Sequence, residues 1–302
     1  MSAVNRISRR FLELKREGRA GLVTFVTAGD PDPETAMEIL RGLPAAGADL
    51  VELGMPFSDP MADGPAIQES SLRALRNGQT MARTLSMIAE FRRGDAATPV
   101  ILMGYFNPIY AYGIERFVAD AKAAGVDGLI VVDLPPEEHE ELRAPAKAAG
   151  IDMILLLAPT TGEERLARIL REASGFVYYV AVTGITGTSS ADPADVAAAV
   201  ARIRRYTSLP VAVGFGIKTA GQAASIAATA DAAVVGSAIV GTMAARLADD
   251  GAAGPELVER TLSFVAELAA GVRDPHALRD PHALGDADSV GRRMSGDRGA
   301  HR

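Results

Sequence analysis

Val51-Glu52-Leu53-Gly54-Met55-Pro56-Phe57-Ser58-Asp59-Pro60-Met61-Ala62-Asp63-Gly64-Pro65 reads as a buried strand that runs into a loop punctuated by glycine and proline. Leu50, Val51 and Leu53 make the strand apolar on both faces, as a strand covered on both sides would be. Glu52 lies between them, where a carboxylate is costly unless it is paired, protonated or used in chemistry. Asp63 lies on the loop and faces the same cavity if the loop folds back. Two carboxylates in unlike environments let one stay an acid while the other stays an anion at a single pH.

The same strand-then-helix unit recurs along the chain. Apolar, β-branched runs fall at 22–27, 50–53, 100–103, 128–132, 152–157, 176–180, 211–214 and 232–235. Amphipathic helical patterns follow them at 33–46, 80–91, 114–124, 137–149, 163–173, 193–206, 219–228 and 254–272. Eight such alternations imply an α/β protein whose parallel strands close into a (β/α)8 TIM barrel. An open doubly wound sheet would carry a glycine-rich dinucleotide turn after its first strand, and Thr27-Ala28-Gly29-Asp30-Pro31 is not one. Extra helices are expected at 66–77 and 237–248, and Ile7, Phe11, Leu12 and Leu14 predict a short amphipathic N-terminal helix. Residues 1–272 then form a single barrel domain. The segment 273–302 repeats Arg273-Asp274-Pro275-His276-Ala277-Leu278 as Arg279-Asp280-Pro281-His282-Ala283-Leu284 and reads as a disordered low-complexity tail.

Composition narrows the function. The 302 residues carry a net charge of -7, which argues against nucleic acid or an anionic membrane as the main partner. The absence of cysteine excludes disulfides, thiolate zinc sites and cysteine nucleophiles. The basic first twenty residues contain no continuous apolar stretch of the secretory kind, and no run is long enough to span a bilayer; a cytoplasmic protein is expected.

In such a barrel the chemistry sits at the C-terminal ends of the strands. Three consecutive strands run into Thr183-Gly184-Ile185-Thr186-Gly187-Thr188-Ser189-Ser190, Gly214-Phe215-Gly216-Ile217 and Gly236-Ser237-Ala238-Ile239-Val240. Glycines allow close backbone approach and a helix start offers unsatisfied N–H groups, so these loops predict a bound phosphate and a small phosphorylated ligand. His139 is expected on a solvated helix face among Glu137, Glu138 and Glu140, and Lys218 is expected to be solvated at a helix start. No His and carboxylate cluster has metal-ligand spacing. By elimination, Glu52 and Asp63 carry the acid–base work, with Tyr178 or Tyr179 as an assistant. The competing readings are that Glu52 is a satisfied core carboxylate, that Asp63 caps the helix near Pro65, and that Asp59 takes its place.

These residues resemble the tryptophan synthase alpha subunit family from about Arg6 to Val272. The most specific match is Glu52 through Pro65. Phe25 with Thr27-Ala28-Gly29-Asp30-Pro31, Met103-Gly104-Tyr105-Phe106-Asn107-Pro108, Asp133-Leu134-Pro135, Gly184-Ile185-Thr186-Gly187 and Gly214-Phe215-Gly216-Ile217 follow in order. The resemblance implies a lyase that cleaves indole-3-glycerol phosphate by retro-aldol chemistry to indole and glyceraldehyde 3-phosphate, in L-tryptophan biosynthesis. It implies that Glu52 protonates C3 of the indole, that Asp63 hydrogen-bonds the indole N–H, and that Tyr178 lies near the acid. It assigns Thr186 to a lid contact with Asp63, and Gly187, Phe215, Gly216, Gly236 and Ser237 to the phosphate. Phe25 and Tyr105 would line the indole pocket.

No cofactor is implied for this chain. The implied partner is a pyridoxal-phosphate beta subunit in an allosteric αββα heterotetramer, with indole passing between the sites. Met55 stands where isoleucine is usual, and Ala181-Val182-Thr183 departs from the usual lid sequence. A catalytically silent barrel that only activates its beta partner is the alternative from another class. Indole-glycerol-phosphate synthase would place a lysine on a barrel strand, and none of the predicted strands has one.

Overall fold

The computed structural model describes residues 5–181, 192–214, 216–248 and 250–274. The chain begins with helix α1 (Arg6–Glu17) and enters strand β1 (Gly21–Thr27), helix α2 (Pro33–Ala46) and strand β2 (Leu50–Gly54). Helices α3 (Pro65–Arg76) and α4 (Met81–Gly94) lead to β3 (Val100–Gly104), then α5 (Phe106–Tyr112), α6 (Ile114–Ala124) and β4 (Gly128–Val131). After α7 (Glu140–Ala149) come two short strands, β5 (Asp152–Met153) and β6 (Leu155–Leu157), then α8 (Glu163–Glu172), β7 (Val177–Val180) and α9 (Pro193–Arg204). The last units are β8 (Val211–Gly214), α10 (Ala220–Ala227), β9 (Ala232–Val235), α11 (Ser237–Ala244) and α12 (Leu257–Arg273). No helix among the described residues is long and apolar enough to cross a membrane.

All pairings are parallel, in the order β5-β4-β3-β2-β1-β9-β8-β7-β6. The nine strands make eight staves, because β5 and β6 are halves of one strand interrupted at buried Ile154. Ile154 still donates its N–H to Leu129 O at 3.0 Å, so the first half faces β4 while the second faces β7 and the ring closes. The (β/α)8 barrel expected from the alternation is the fold observed. Predicted helices at 33–46 and 114–124 match their observed bounds, whereas α5 was not anticipated. Pro108 argues locally against a helix, but it falls in the first turn of α5, where its missing N–H has no intrahelical partner to lose.

The barrel is filled unevenly. Its N-terminal half is solid: Ile7, Phe11 and Leu14 of α1 pack onto Val23, Leu50, Ile101, Ile130, Ile154 and Phe176 inside the ring. The Phe11 and Phe176 rings lie 5.6 Å apart. Each of these buried α1 side chains contributes about 2 kcal/mol of transfer free energy. Glycine at position 128 makes room for this plug, since a Cβ there would stand 3.0 Å from Ile7 Cδ1. The outer faces of the strands pack beneath the helices in a second, larger core.

Three aspartates close the N-terminal rim in one repeated geometry. Asp49 accepts the N–H of Leu22 at 2.8 Å, Asp127 that of Val100 at 2.9 Å, and Asp231 that of Val211 at 2.8 Å. Each aspartate also donates its own N–H to the carbonyl of that same residue. The preceding stave is thus tied to the next one at two points. Arginines meet these carboxylates: Arg19 and Arg10 the buried Asp49, Arg6 and Arg92 the buried Asp127, and Arg204 the half-exposed Asp231. Burial by itself would raise the Asp49 carboxyl, but the hydrogen bonds from Arg19, the Leu22 amide and Arg10 outweigh it and hold Asp49 below the usual carboxylate range.

A group held low in this way stabilises the fold fully above about pH 4, and that contribution is lost as pH falls through its folded pKa. Asp49→Asn is therefore expected to lose about 3 kcal/mol at pH 7. Urea unfolding of wild type and variant should show the gap narrowing below about pH 4.

Candidate active site

Glu52 occupies the middle of β2, in register with Phe25 of β1 and Ile101 of β3. Strand alternation points Glu52, Phe25, Met103, Val132, Leu156, Tyr178, Val180 and Val234 into the C-terminal half of the barrel, where α1 does not reach. They form the walls of a cavity of about 840 Å³ that opens at the strand ends. Glu52 is 1% exposed, and its Oε1 has no hydrogen-bond partner. Burial alone pushes its carboxyl up to about 8, so at neutral pH it is a protonated acid.

Tyr178 faces the same space. Its phenol is raised by burial and by the negative charge that Glu52 carries when ionised. A Cβ at Gly214 would collide with the Tyr178 hydroxyl, so glycine on β8 is what makes room for that phenol. Gly54 does the same for Phe25, whose Cζ would stand 2.5 Å from a Cβ there. Tyr179 points outward into the core beneath the helices, which settles the choice between the two tyrosines.

The loop after β2 folds back over the mouth. Asp63 N–H donates to Pro60 O at 3.0 Å, and Gln68 Nε2 donates to Asp63 O at 2.8 Å. The helix that follows, α3, is anchored to the end of β1 by Thr27 with Ser70 at 2.6 Å and by the Arg73–Asp30 pair at 2.7 Å. Asp63 lines the cavity, and Tyr105 Oη donates to its Oδ2 at 3.0 Å while accepting the Ala62 N–H at 2.9 Å. Burial raises the Asp63 carboxyl and the Tyr105 hydrogen bond partly offsets that rise. Asp63 makes no capping bond to α3, whose N-cap is Gly64. Asp59 bonds Ser58 at 2.5 Å on the exposed outer side of the loop and does not line the cavity.

Gly216, Gly236 and Ser237 lie together at the end of the cavity formed by β8, β9 and α11. No side chain caps α11, so the amides of its first turn are available to an anion. Lys218 is exposed, as expected, and also lines this end. Thr186, Gly187 and Phe215 lie outside the described residues. Tyr105 is buried behind Asp63 and meets the cavity through it.

The expectation for His139 is corrected. It is 1% exposed, with Nε2 2.5 Å from Glu172 Oε2 and Nδ1 without a partner. Helix α7 starts only at Glu140, so His139 sits in the preceding turn and points inward onto α8 instead of outward with its acidic neighbours. It does not line the cavity. No group of three His, Cys, Asp or Glu among the described residues is arranged to hold a metal ion.

Sequence reasoning missed the tie between Tyr105 and Asp63, the cavity walls at Val132 and Leu156, and Phe264 of α12. A period-two count from Glu52 around the staves would have found the strand positions. Nothing local to Phe264 marks it.

Residues 11–271 match the family described as tryptophan synthase alpha chain. Among solved structures, the chain is similar to a tryptophan synthase alpha subunit from Legionella pneumophila, with 37% identity over 90% of this chain and 100% of that one and a TM-score of 0.82. It is likewise similar to tryptophan synthase from Mycobacterium tuberculosis, with 34% identity over 90% of this chain and 99% of that one and a TM-score of 0.80.

The raised Glu52 carboxyl has a consequence for stability. The unfolded chain ionises this group near pH 4.3 and the folded protein only at about 8, so stability falls as pH rises through that window and levels off above it. Glu52→Gln, which stays neutral, is expected to be more stable than wild type by about 3 kcal/mol at pH 7 and no more stable near pH 4. Urea titrations at the two pH values measure the difference.

Proposed function

The chain belongs to the tryptophan synthase alpha chain family, and on that premise we propose how its own residues perform the family's reaction. That reaction is the alpha reaction of tryptophan biosynthesis, the cleavage of indole-3-glycerol phosphate to indole and glyceraldehyde 3-phosphate. The observation that carries the assignment of roles is a neutral, buried Glu52 facing the same cavity as a hydrogen-bonded Asp63.

Glu52 gives its proton to C3 of the indole, which turns the ring into an indolium cation and makes the substrate its own electron sink. Asp63, oriented by Tyr105, accepts a hydrogen bond from the indole N–H and stabilises the cation as it forms, an effect of about 3 kcal/mol for a well-aimed group in a desolvated site. Glu52, now a carboxylate, takes the proton of the hydroxyl next to the breaking bond. The C–C bond electrons return to the ring, releasing indole and the aldehyde. The proton left on C3 came from Glu52 and the hydroxyl proton restores it, so the cycle closes on one carboxyl group. Phe25 supplies an apolar wall for the indole and Tyr178 a phenol beside the acid. Gly216, Gly236 and Ser237 hold the phosphate through backbone amides at the start of α11, joined by Phe215 and Gly187, while Thr186 is the proposed lid contact with Asp63.

The family implies a tryptophan synthase beta-subunit partner. We propose an αββα assembly, with pyridoxal phosphate on the beta chain and none here, and with the loops after β2 and β7 facing the partner. The proposed setting is the cytoplasm, in keeping with a chain that has no cysteine. The barrel of 1–272 is proposed as the whole catalytic unit, with 273–302 as an appendage.

Indole release from indole-3-glycerol phosphate, with and without a beta subunit, tests the assignment. Glu52→Gln should lower kcat by at least about 1,000-fold without abolishing partner binding, since the only acid is lost. In wild type, kcat/KM should fall above pH about 8, where Glu52 loses its proton. Retained turnover in Glu52→Gln overturns the role given to Glu52.

A further inference from the structure

A fourth aspartate at the N-terminal rim departs from the pattern of the other three. Asp152 opens β5 and donates its N–H to Asp127 O at 2.9 Å, as the others donate theirs to the stave before them. Its carboxylate takes no strand amide in return, since the Asp127 N–H already goes to Val100 O at 2.9 Å. No arginine meets it either: among the described residues, Asp152 is held only by the neutral side chains of Asn5 and Ser174. Burial raises this carboxyl, the bonds from Ser174 and Asn5 partly offset the rise, and the charge of Asp127 adds to it.

Asp152 borders a second cavity, of about 320 Å³, between α7 and α8 at the opposite end of the barrel from the catalytic one. Lys147 in the last turn of α7 and Arg171 in the last turn of α8 also line it. Both are exposed, and neither makes a side-chain hydrogen bond or ion pair among the described residues. The other charged groups of the lining are occupied, Arg143 by Glu140 at 2.7 Å and Glu172 by His139. A cation in a last turn complements the helix dipole, which accounts for Lys147 and Arg171 singly. It does not account for the partly buried carboxylate beside them, which is costly to keep without a counter-charge.

We propose that this cavity is a binding site for a small amino dicarboxylate, whose ammonium pairs with Asp152 and whose two carboxylates pair with Lys147 and Arg171. The unpaired charges of the lining, one negative and two positive, are the complement of such a ligand. The space also fits one: 320 Å³ at about 30 Å³ per water is room for about ten non-hydrogen atoms, the size of glutamate. Asn5 and Ser174 add neutral polar groups beside Asp152, so recognition rests on charge-assisted hydrogen bonds and not on an apolar pocket. The site shares no residue with the catalytic cavity and does not depend on the reaction proposed for it.

The test uses the full chain with L-glutamate as the probe. Glutarate, which lacks the ammonium, and 4-aminobutyrate, which lacks one carboxylate, are the controls. Calorimetric titration at low ionic strength should show L-glutamate binding about fivefold more tightly than either control. Asp152→Asn should weaken L-glutamate about fivefold and leave glutarate no weaker, because only the ammonium loses its partner. Lys147→Met and Arg171→Met replace exposed side chains outside any ion pair, so the fold is kept; each should weaken L-glutamate and glutarate alike, by about threefold. No saturable binding of L-glutamate by wild type overturns the proposal. So does equal affinity for glutarate, or L-glutamate affinity unchanged in either Lys147→Met or Arg171→Met.

Discussion

A carboxyl group sealed inside the barrel with one oxygen unpartnered is the constraint on which the rest of this structure turns. Glu52 stays protonated near neutral pH because burial strips its carboxyl of hydration, although it faces a cavity that opens at the strand ends. From below, α1 plugs the ring with Ile7, Phe11 and Leu14. Around it, Phe25, Met103, Leu156 and Val234 offer no donor or counter-charge. The same isolation that makes Glu52 an acid makes it a liability to the fold above its unfolded pKa. Function and stability pull in opposite directions at this residue, as they do where an active site is built by withholding solvent.

The two ends of the barrel solve different problems. At the N-terminal rim, Asp49, Asp127 and Asp231 each clamp the stave before them, and arginines from α1, α4, α9 and the turn before β1 neutralise them. These groups are fully used and leave nothing to bind a ligand. At the C-terminal end, hydrogen-bonding capacity is deliberately unspent: the amides of α11 are uncapped, Glu52 Oε1 is bare, and Asp63 holds a single side-chain bond from Tyr105. Unsatisfied polar groups facing a cavity are what a substrate can satisfy.

That arrangement explains why so few chemical groups suffice. Protonated indole is itself the electron sink, so the protein need only deliver one proton, steady one cation and recover one proton. One candidate carboxyl, Glu52, sits on a strand and the other, Asp63, on a loop. The strand holds Glu52 between β1 and β3, facing the cavity. The loop carrying Asp63 is tethered through Gln68 and Tyr105, which hold its carboxylate at the cavity.

The sequence by itself determined the fold and singled out Glu52 and Asp63 as the candidate acid–base pair. Apolar strands alternating with amphipathic helices leave a closed parallel ring as the way to bury both faces of every strand, and an acidic residue inside one of those strands stands out because local rules forbid it. The helix at Pro33–Ala46 was legible in the same way, from Pro33 at its start and Gly47 after its end. Tertiary structure decided what local pattern leaves open. Whether Tyr178 or Tyr179 faces inward, whether Asp63 or Asp59 reaches the cavity, and whether His139 is solvated all depend on partners distant in the chain. Tyr105 meets Asp63 across 42 positions, and His139 meets Glu172 across 33. Periodicity reports which face of an element is apolar, but only the packed chain decides which polar groups come within bonding distance and how much water is left around them.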